Sequence, residues 1–252
     1  MLKIYLHPRC SDSWHVYQLL ERNSLLSLVK LTNTEEHPLL ALSKGVFSVP
    51  AFELKDQVVL QGYFTEEDVV LLAKDGHLRI RSTSEALDRL MKSIFSSFLV
   101  AAAVYVSGTF KVLLDARDYL LSASGAFFLP EQETFLQAAR EKLTQASIDD
   151  SNRRSFHRII AGNYVRDLYW LTGTPPRRDT IEKLGLNFFC DWLLLRASIG
   201  RVFVPQSSPQ ASLDVRVREA WEYTLEKADA IAGKVLEEQA KIPRDWLRAQ
   251  TT

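Results

Sequence analysis

The stretch Lys3-Ile4-Tyr5-Leu6-His7-Pro8-Arg9-Cys10-Ser11-Asp12-Ser13 reads as a strand, a short loop and a helix start, with a cysteine at the helix entrance. β-Branched and aromatic residues over Leu2–Leu6 suit a strand, and His7-Pro8 interrupts it. About forty residues later Ser48-Val49-Pro50-Ala51-Phe52-Glu53-Leu54 reads as another strand, entered through a proline. A thiol at a helix N-terminus, with an X-Pro bond at this spacing, is the chemically distinctive feature of the chain.

Outward from these two stretches, residues 1–80 alternate strand and helix. Ser13–Arg22 carries Trp14, Tyr17, Leu19 and Leu20 among polar residues and predicts an amphipathic helix. Leu26–Leu31 predicts a strand, and Glu35–Lys44 a helix closed by Gly45. Ala51–Leu54 and Val58–Gln61 flank the polar turn Lys55-Asp56-Gln57 as a hairpin. Thr65 then caps a helix with Glu66, Glu67 and Asp68 in its first turn, closing at Asp75-Gly76. The predicted order is β-α-β-α-β-β-α.

Residues 81–252 show no strand signal. Ser82 and Glu85 form a capping-box pattern before a helix to about Tyr105. Further helices are expected from Gly108 to Leu121, Pro130 to Gln145, Ser151 to Leu171, Asp179 to Ser198 and Ser212 to Lys241, with a loop at Pro205–Pro209. The fold class is therefore a small α/β domain, 1–80, followed by an all-α domain, 81–252.

At 252 residues two domains are the natural expectation. Lysine plus arginine equal aspartate plus glutamate at 31 each, so no global field attracts nucleic acid or an anionic membrane, and neither is expected as a partner. Two cysteines argue against a disulfide framework and suit a reducing compartment. The first residues enter a strand without a secretory pattern, and the most apolar stretch, Phe98–Val106, is about half a bilayer span. A cytoplasmic location follows as an expectation.

The pieces Lys3–Leu6, Cys10-Ser11-Asp12-Ser13, Ser48-Val49-Pro50 and Gly62-Tyr63 stand in the order and spacing of a glutaredoxin. The first 76 residues thus resemble a glutaredoxin-type thioredoxin-like domain, and the appended helices resemble the layout of glutathione S-transferases. The resemblance implies a cis Val49–Pro50 bond beside a nucleophilic Cys10, with Val49 pairing its backbone to an extended thiol peptide. It also implies thiol binding near Arg9, Val49, Pro50, Gly62, Thr65 and Glu66. Glutathione or another low-molecular-weight thiol is the implied ligand. One departure is Gln61-Gly62-Tyr63, where transferases carry an acidic residue followed by serine.

A thiol reacts as thiolate, so the pKa of Cys10 must fall from about 8.5 toward neutrality. Free amides over Ser11–Ser13 and the neighbouring Arg9 favour that, Asp12 opposes it, and a modest net preference for thiolate is expected. Ser13 replaces the second cysteine of a dithiol motif and can donate to the sulfur. Only mixed disulfides are then open to Cys10, and the compatible reactions are monothiol exchange, deglutathionylation or conjugation at a bound thiol. The expected partner is a small thiol or a disulfide-bearing protein; the transferase-like layout admits a homodimer, while the residues leave the oligomeric state open. A second reading is a non-catalytic interaction or scaffold protein that uses this fold for binding.

Cys190, within Asn187-Phe188-Phe189-Cys190-Asp191-Trp192, reads as a small buried hydrophobe. Tyr164, Tyr169, Trp170, Phe188, Phe189 and Trp192 read as core aromatics. Arg153, Arg154, Arg158, Arg166, Arg177 and Arg178 form a basic stretch, either an anion-binding face or a solvated face with salt bridges to acidic helices. Scattered histidines and the absence of C-x-x-C, P-loop and G-x-G-x-x-G motifs lead to no expectation of a metal or nucleotide.

Overall fold

The structure is a computed structural model and describes residues 1–198 and 210–247; the loop expected at 205–209 lies outside them. Among the described residues the chain has one four-stranded mixed sheet near its start, followed by a mostly helical region. The first strand, β1 (Leu2–Leu6), is central. It pairs in parallel with β2 (Val29–Asn33), Ile4 opposite Leu31, and antiparallel with β3 (Ala51–Leu54), Ile4 opposite Phe52. The hairpin partner of β3 is β4 (Gln57–Gln61), which completes the order β2-β1-β3-β4. Lys55 and Asp56 both have positive φ, so the hairpin turns in two residues with the twist that flanking strands favour.

Period-two alternation sorts the sheet's faces. Leu2, Ile4 and Leu6 join Phe52 and Leu60 in a core with Val16 and Leu20 of α1 (Ser11–Arg22). Tyr5, Ala51 and Val58 point the other way, against Ala41 of α2 (Pro38–Ser43) and Val46. There the buried Glu53 accepts a 2.5 Å hydrogen bond from the Tyr5 hydroxyl and pairs with Lys3. The helix α3 (Glu66–Asp75) adds Val69 and Leu72 to the first core. Its start is a reciprocal capping box between Thr65 and Asp68, which satisfies two orphan amides.

Several boundaries differ from expectation. Leu26–Leu28 is a 3₁₀ turn rather than strand, and α2 begins only at Pro38. The long helix expected to reach Tyr105 is two, α4 (Thr83–Ser96) and α5 (Phe98–Ser107), broken where Ser97 takes an extended backbone. Glu85 accepts from the Arg81 amide rather than from that of Ser82, so its capping is one residue displaced. The helix expected from Gly108 is a 3₁₀ turn at Phe110–Leu113, then α6 (Arg117–Ser124). The remaining helices are α7 (Gln132–Gln145), α8 (Asp150–Thr172), α9 (Arg178–Ser198) and α10 (Gln210–Ala240), with α9 interrupted at Gly185.

The compact units do not divide the chain at residue 80. One comprises 1–97, 116–141 and 241–252, so α4, α6 and the segment after α10 belong with the sheet. The other comprises 98–115 and 142–240. In it α5, buried from Val100 to Ser107, packs against α8, α9 and α10. A helix apolar on all sides needs neighbours on all sides, which is why its sequence shows no polar stripe. No single helix among the described residues is long and apolar enough to cross a membrane.

Candidate functional site

Cys10 sits at the N-cap of α1 with an extended backbone, and its side chain makes no capping hydrogen bond. The thiol turns to the loop before β3 instead: it donates to the Val49 carbonyl oxygen, with Sγ 3.8 Å away. The next peptide bond, Val49–Pro50, is cis, as the resemblance implies. Ser13, one turn into α1, is fully buried, and its Oγ accepts from the His7 amide at 3.1 Å. That bond uses a lone pair and leaves the hydroxyl proton for the sulfur. Cys10, Ser13, Val49 and Pro50 thus come together.

The expected modest preference for thiolate is overturned. Burial of the sulfur pushes the Cys10 thiol above its ordinary value, and the Asp12 carboxylate adds to the effect. The Ser13 amide and hydroxyl and the Asp12 amide pull the other way without prevailing. Desolvation penalises the thiolate more than the neutral thiol, and the half-buried sulfur faces the negative end of the Val49 carbonyl, which also disfavours an anion. Arg9 does not offset it: its guanidinium pairs with Glu35 at 3.2 Å.

The other candidate residues have their polar groups engaged within the fold. Glu66 pairs with His15 at 3.0 Å and lies 4.0 Å from Arg22, tying α3 to α1. Thr65 caps α3. Asp68 holds the Thr65 amide and a buried Arg89 guanidinium, each at 2.8 Å. Gln61 is almost fully buried: its amide oxygen accepts from the Phe47 amide, and its nitrogen donates to the Gly45 carbonyl and to Ser122 Oγ of α6. Gly62 has φ +84°, and a Cβ there would lie 2.8 Å from the Ser93 Cβ of α4. The Tyr63 amide donates to Ser93 Oγ at 2.9 Å. The segment Gln61-Gly62-Tyr63 therefore joins β4 to α4 and α6.

One residue near the thiol escaped the sequence reading. Trp246, six residues beyond α10, donates its indole N–H to the Pro8 carbonyl at 2.8 Å. Its ring meets Trp14 and Tyr17 of α1 at centroid distances of 5.2 and 5.0 Å. Local patterning has no term for a contact spanning the whole chain; the only available signal was a tryptophan and leucine pair, Trp246-Leu247, in a polar tail.

The second unit holds a separate polar group. The Tyr105 hydroxyl donates to the Arg216 carbonyl at 2.8 Å, which leaves it to accept from Nε2 of His157, also at 2.8 Å. Burial pushes the Tyr105 hydroxyl up and holds the His157 imidazole below its ordinary value, Glu219 opposing for the histidine. The Arg216 guanidinium donates to the carbonyls of Tyr105 and Val106, closing the end of α5. Cys190 is half-buried, its thiol raised by burial and by Asp191 and Asp214. Of the basic stretch, Arg153 pairs with Asp150 and Glu219, Arg166 with Glu238, and Arg178 with Glu182, as a solvated face with salt bridges requires. Tyr164, Phe189 and Trp192 pack edge to face, but Phe188 is exposed. Among the described residues no group of three or more His, Cys, Asp or Glu has the geometry to hold a metal ion.

In comparison with known proteins, the chain matches no family model, no curated protein and no solved structure.

Proposed function

We propose that the first unit is a thioredoxin-like domain of glutaredoxin type that uses Cys10 for monothiol exchange with a protein or peptide disulfide. The observation that carries the reading is the Cys10 sulfur lying 3.8 Å from the Val49 carbonyl, at the entrance to β3. Once deprotonated, the sulfur attacks one sulfur of a disulfide R–S–S–R′. The Cys10–S–R bond forms, the S–S bond breaks, and R′ leaves as a thiolate that takes up the proton. With Ser13 in place of a second cysteine, an external thiol R″–SH, as its thiolate, must attack the mixed disulfide, forming R–S–S–R″ as the Cys10–S–R bond breaks and Cys10 leaves as the thiolate. A reducing, cytoplasmic setting goes with this chemistry.

A peptide partner is favoured over glutathione because the groups that would anchor glutathione are engaged elsewhere. Arg9 is paired with Glu35, Glu66 with His15, and the Thr65 hydroxyl caps α3. An extended peptide needs only backbone groups at Val49 and a reachable sulfur. The test uses the Cys190→Ser protein and a peptide disulfide, with mass spectrometry of the adduct. A mixed disulfide on Cys10, formed faster than with glutathione disulfide, is expected. No adduct above that of the Cys10→Ser, Cys190→Ser protein removes the exchange reading.

The raised thiol favours a second reading, a non-catalytic interaction module in which Cys10 is a small half-buried residue. A partner whose binding survives Cys10→Ser unchanged would support it.

A further inference from the structure

We infer that the segment following α10 is a clasp on the Cys10 loop, with Trp246 as the positioning residue of the thiol. The inference rests on the exchange reading for its functional meaning, though not for its geometry.

The loop His7-Pro8-Arg9-Cys10 is short and tightly bonded. The His7 amide goes to Ser13 Oγ, the Arg9 amide to His7 Nδ1 at 3.2 Å, and the Cys10 amide to the His7 carbonyl at 3.0 Å. Pro8 has no N–H, so its carbonyl is its one backbone handle, and Trp246, 238 residues away, takes it. The indole is buried and lies on Trp14 and Tyr17, in the first two turns of the helix that Cys10 caps. Leu247 beside it is fully buried in the core under the sheet, and Ile242 packs against the same core. The clasp therefore holds both sides of the cysteine: the loop before it through Pro8 and the helix after it through Trp14 and Tyr17.

Holding the loop down keeps the sulfur against Val49 and away from water. Loosening it admits water to the sulfur, which stabilises the anion more than the thiol. Trp246 thus sets how much of the thiol is ionised at neutral pH, and through that the rate at which Cys10 exchanges. A segment distant in sequence becomes the natural place from which that reactivity is adjusted.

The test compares Trp246→Phe and Trp246→Ala with their parent, all full-length and carrying Cys190→Ser. Trp246→Phe keeps an aromatic face but loses the N–H and part of the ring area; Trp246→Ala loses the N–H and the whole face. The readout is the pH profile of Cys10 alkylation by iodoacetamide, with circular dichroism as the check on folding. The profile is expected to move to lower pH in both variants, further in Trp246→Ala, with a several-fold faster reaction at neutral pH. Profiles superimposable on the parent overturn the clasp, and Trp246→Phe decides alone if Trp246→Ala does not fold. A shifted profile without exchange on any disulfide would keep the clasp and remove the functional reading. Exchange with an unshifted profile would do the reverse.

Discussion

The Cys10 thiol donates to the Val49 carbonyl oxygen across 3.8 Å, so the resting site holds a protonated sulfur against the negative end of a peptide dipole. Its ionisation is a balance between burial with Asp12 on one side and Ser13 with two amides on the other.

Asp12→Asn and Ser13→Ala should tip that balance in opposite directions. Removing the carboxylate removes a group that raises the thiol, so Cys10 alkylation at neutral pH should quicken by a factor of a few. Removing the Ser13 hydroxyl takes away a stabiliser of the anion and should slow it. The same substitution strips the His7 amide of its partner, at a cost of about 1–3 kcal/mol. Competition alkylation in the Cys190→Ser background, with urea titration alongside, separates the two effects. Equal rates in both variants would contradict the assignment of causes.

Arg89 and Asp68 form a 2.8 Å ion pair with both side chains buried. Arg89→Met leaves a buried carboxylate without its cation and should destabilise by about 3–5 kcal/mol, read as a lowered denaturation midpoint. The double replacement Arg89→Met, Asp68→Asn should recover part of the loss. If the double variant is as unstable as the single one, the pair is not the source of the cost.

Gly62→Ala tests the close packing of β4 on α4. A left-handed backbone costs a non-glycine residue about 1–3 kcal/mol. The added Cβ would also displace Ser93, which holds the Tyr63 amide and the Ala123 carbonyl. A loss of stability without a change in the Cys10 pH profile is expected, since Gly62 serves the fold. A changed profile with intact stability would instead place Gly62 at the thiol site.

His157 makes the second unit sensitive to mild acid. Free histidine titrates near 6.5, and burial in the fold holds His157 below that. Between the two values the unfolded chain binds the extra proton, so stability is full above about 6.5 and falls as pH drops beneath it. His157→Gln should flatten this part of the stability curve. Parallel curves for the two proteins in urea unfolding at stepped pH would count against it.

Much of the first unit was legible because its signals are local. Alternation in Leu2–Leu6, the cap at Thr65 and the proline before Ala51 each act within a few residues, and the β-α-β-α-β-β-α order followed. The break at Ser97 was not legible, because Phe98–Ser107 is apolar on every side and offers no period to locate an end. Gly185 interrupts α9 for a reason that helix patterning, tolerant of one glycine, does not register. At the candidate site the sequence named Cys10, Ser13, Val49 and Pro50, which do meet. The charge on the sulfur was not legible, because burial, the largest cause of the raised thiol, cannot be summed from neighbours in the chain.

By itself, then, the sequence determined the order of strands and helices over residues 1–80 and the single thiol at a helix entrance, through propensities and caps that operate over one or two turns. Only the tertiary structure decided that Gln61, Gly62 and Ser93 serve packing, that α4 and α6 belong with the sheet, and that Trp246 closes on Pro8. Those outcomes depend on which distant groups share a buried space, where an amide must find a partner and an anion loses its water.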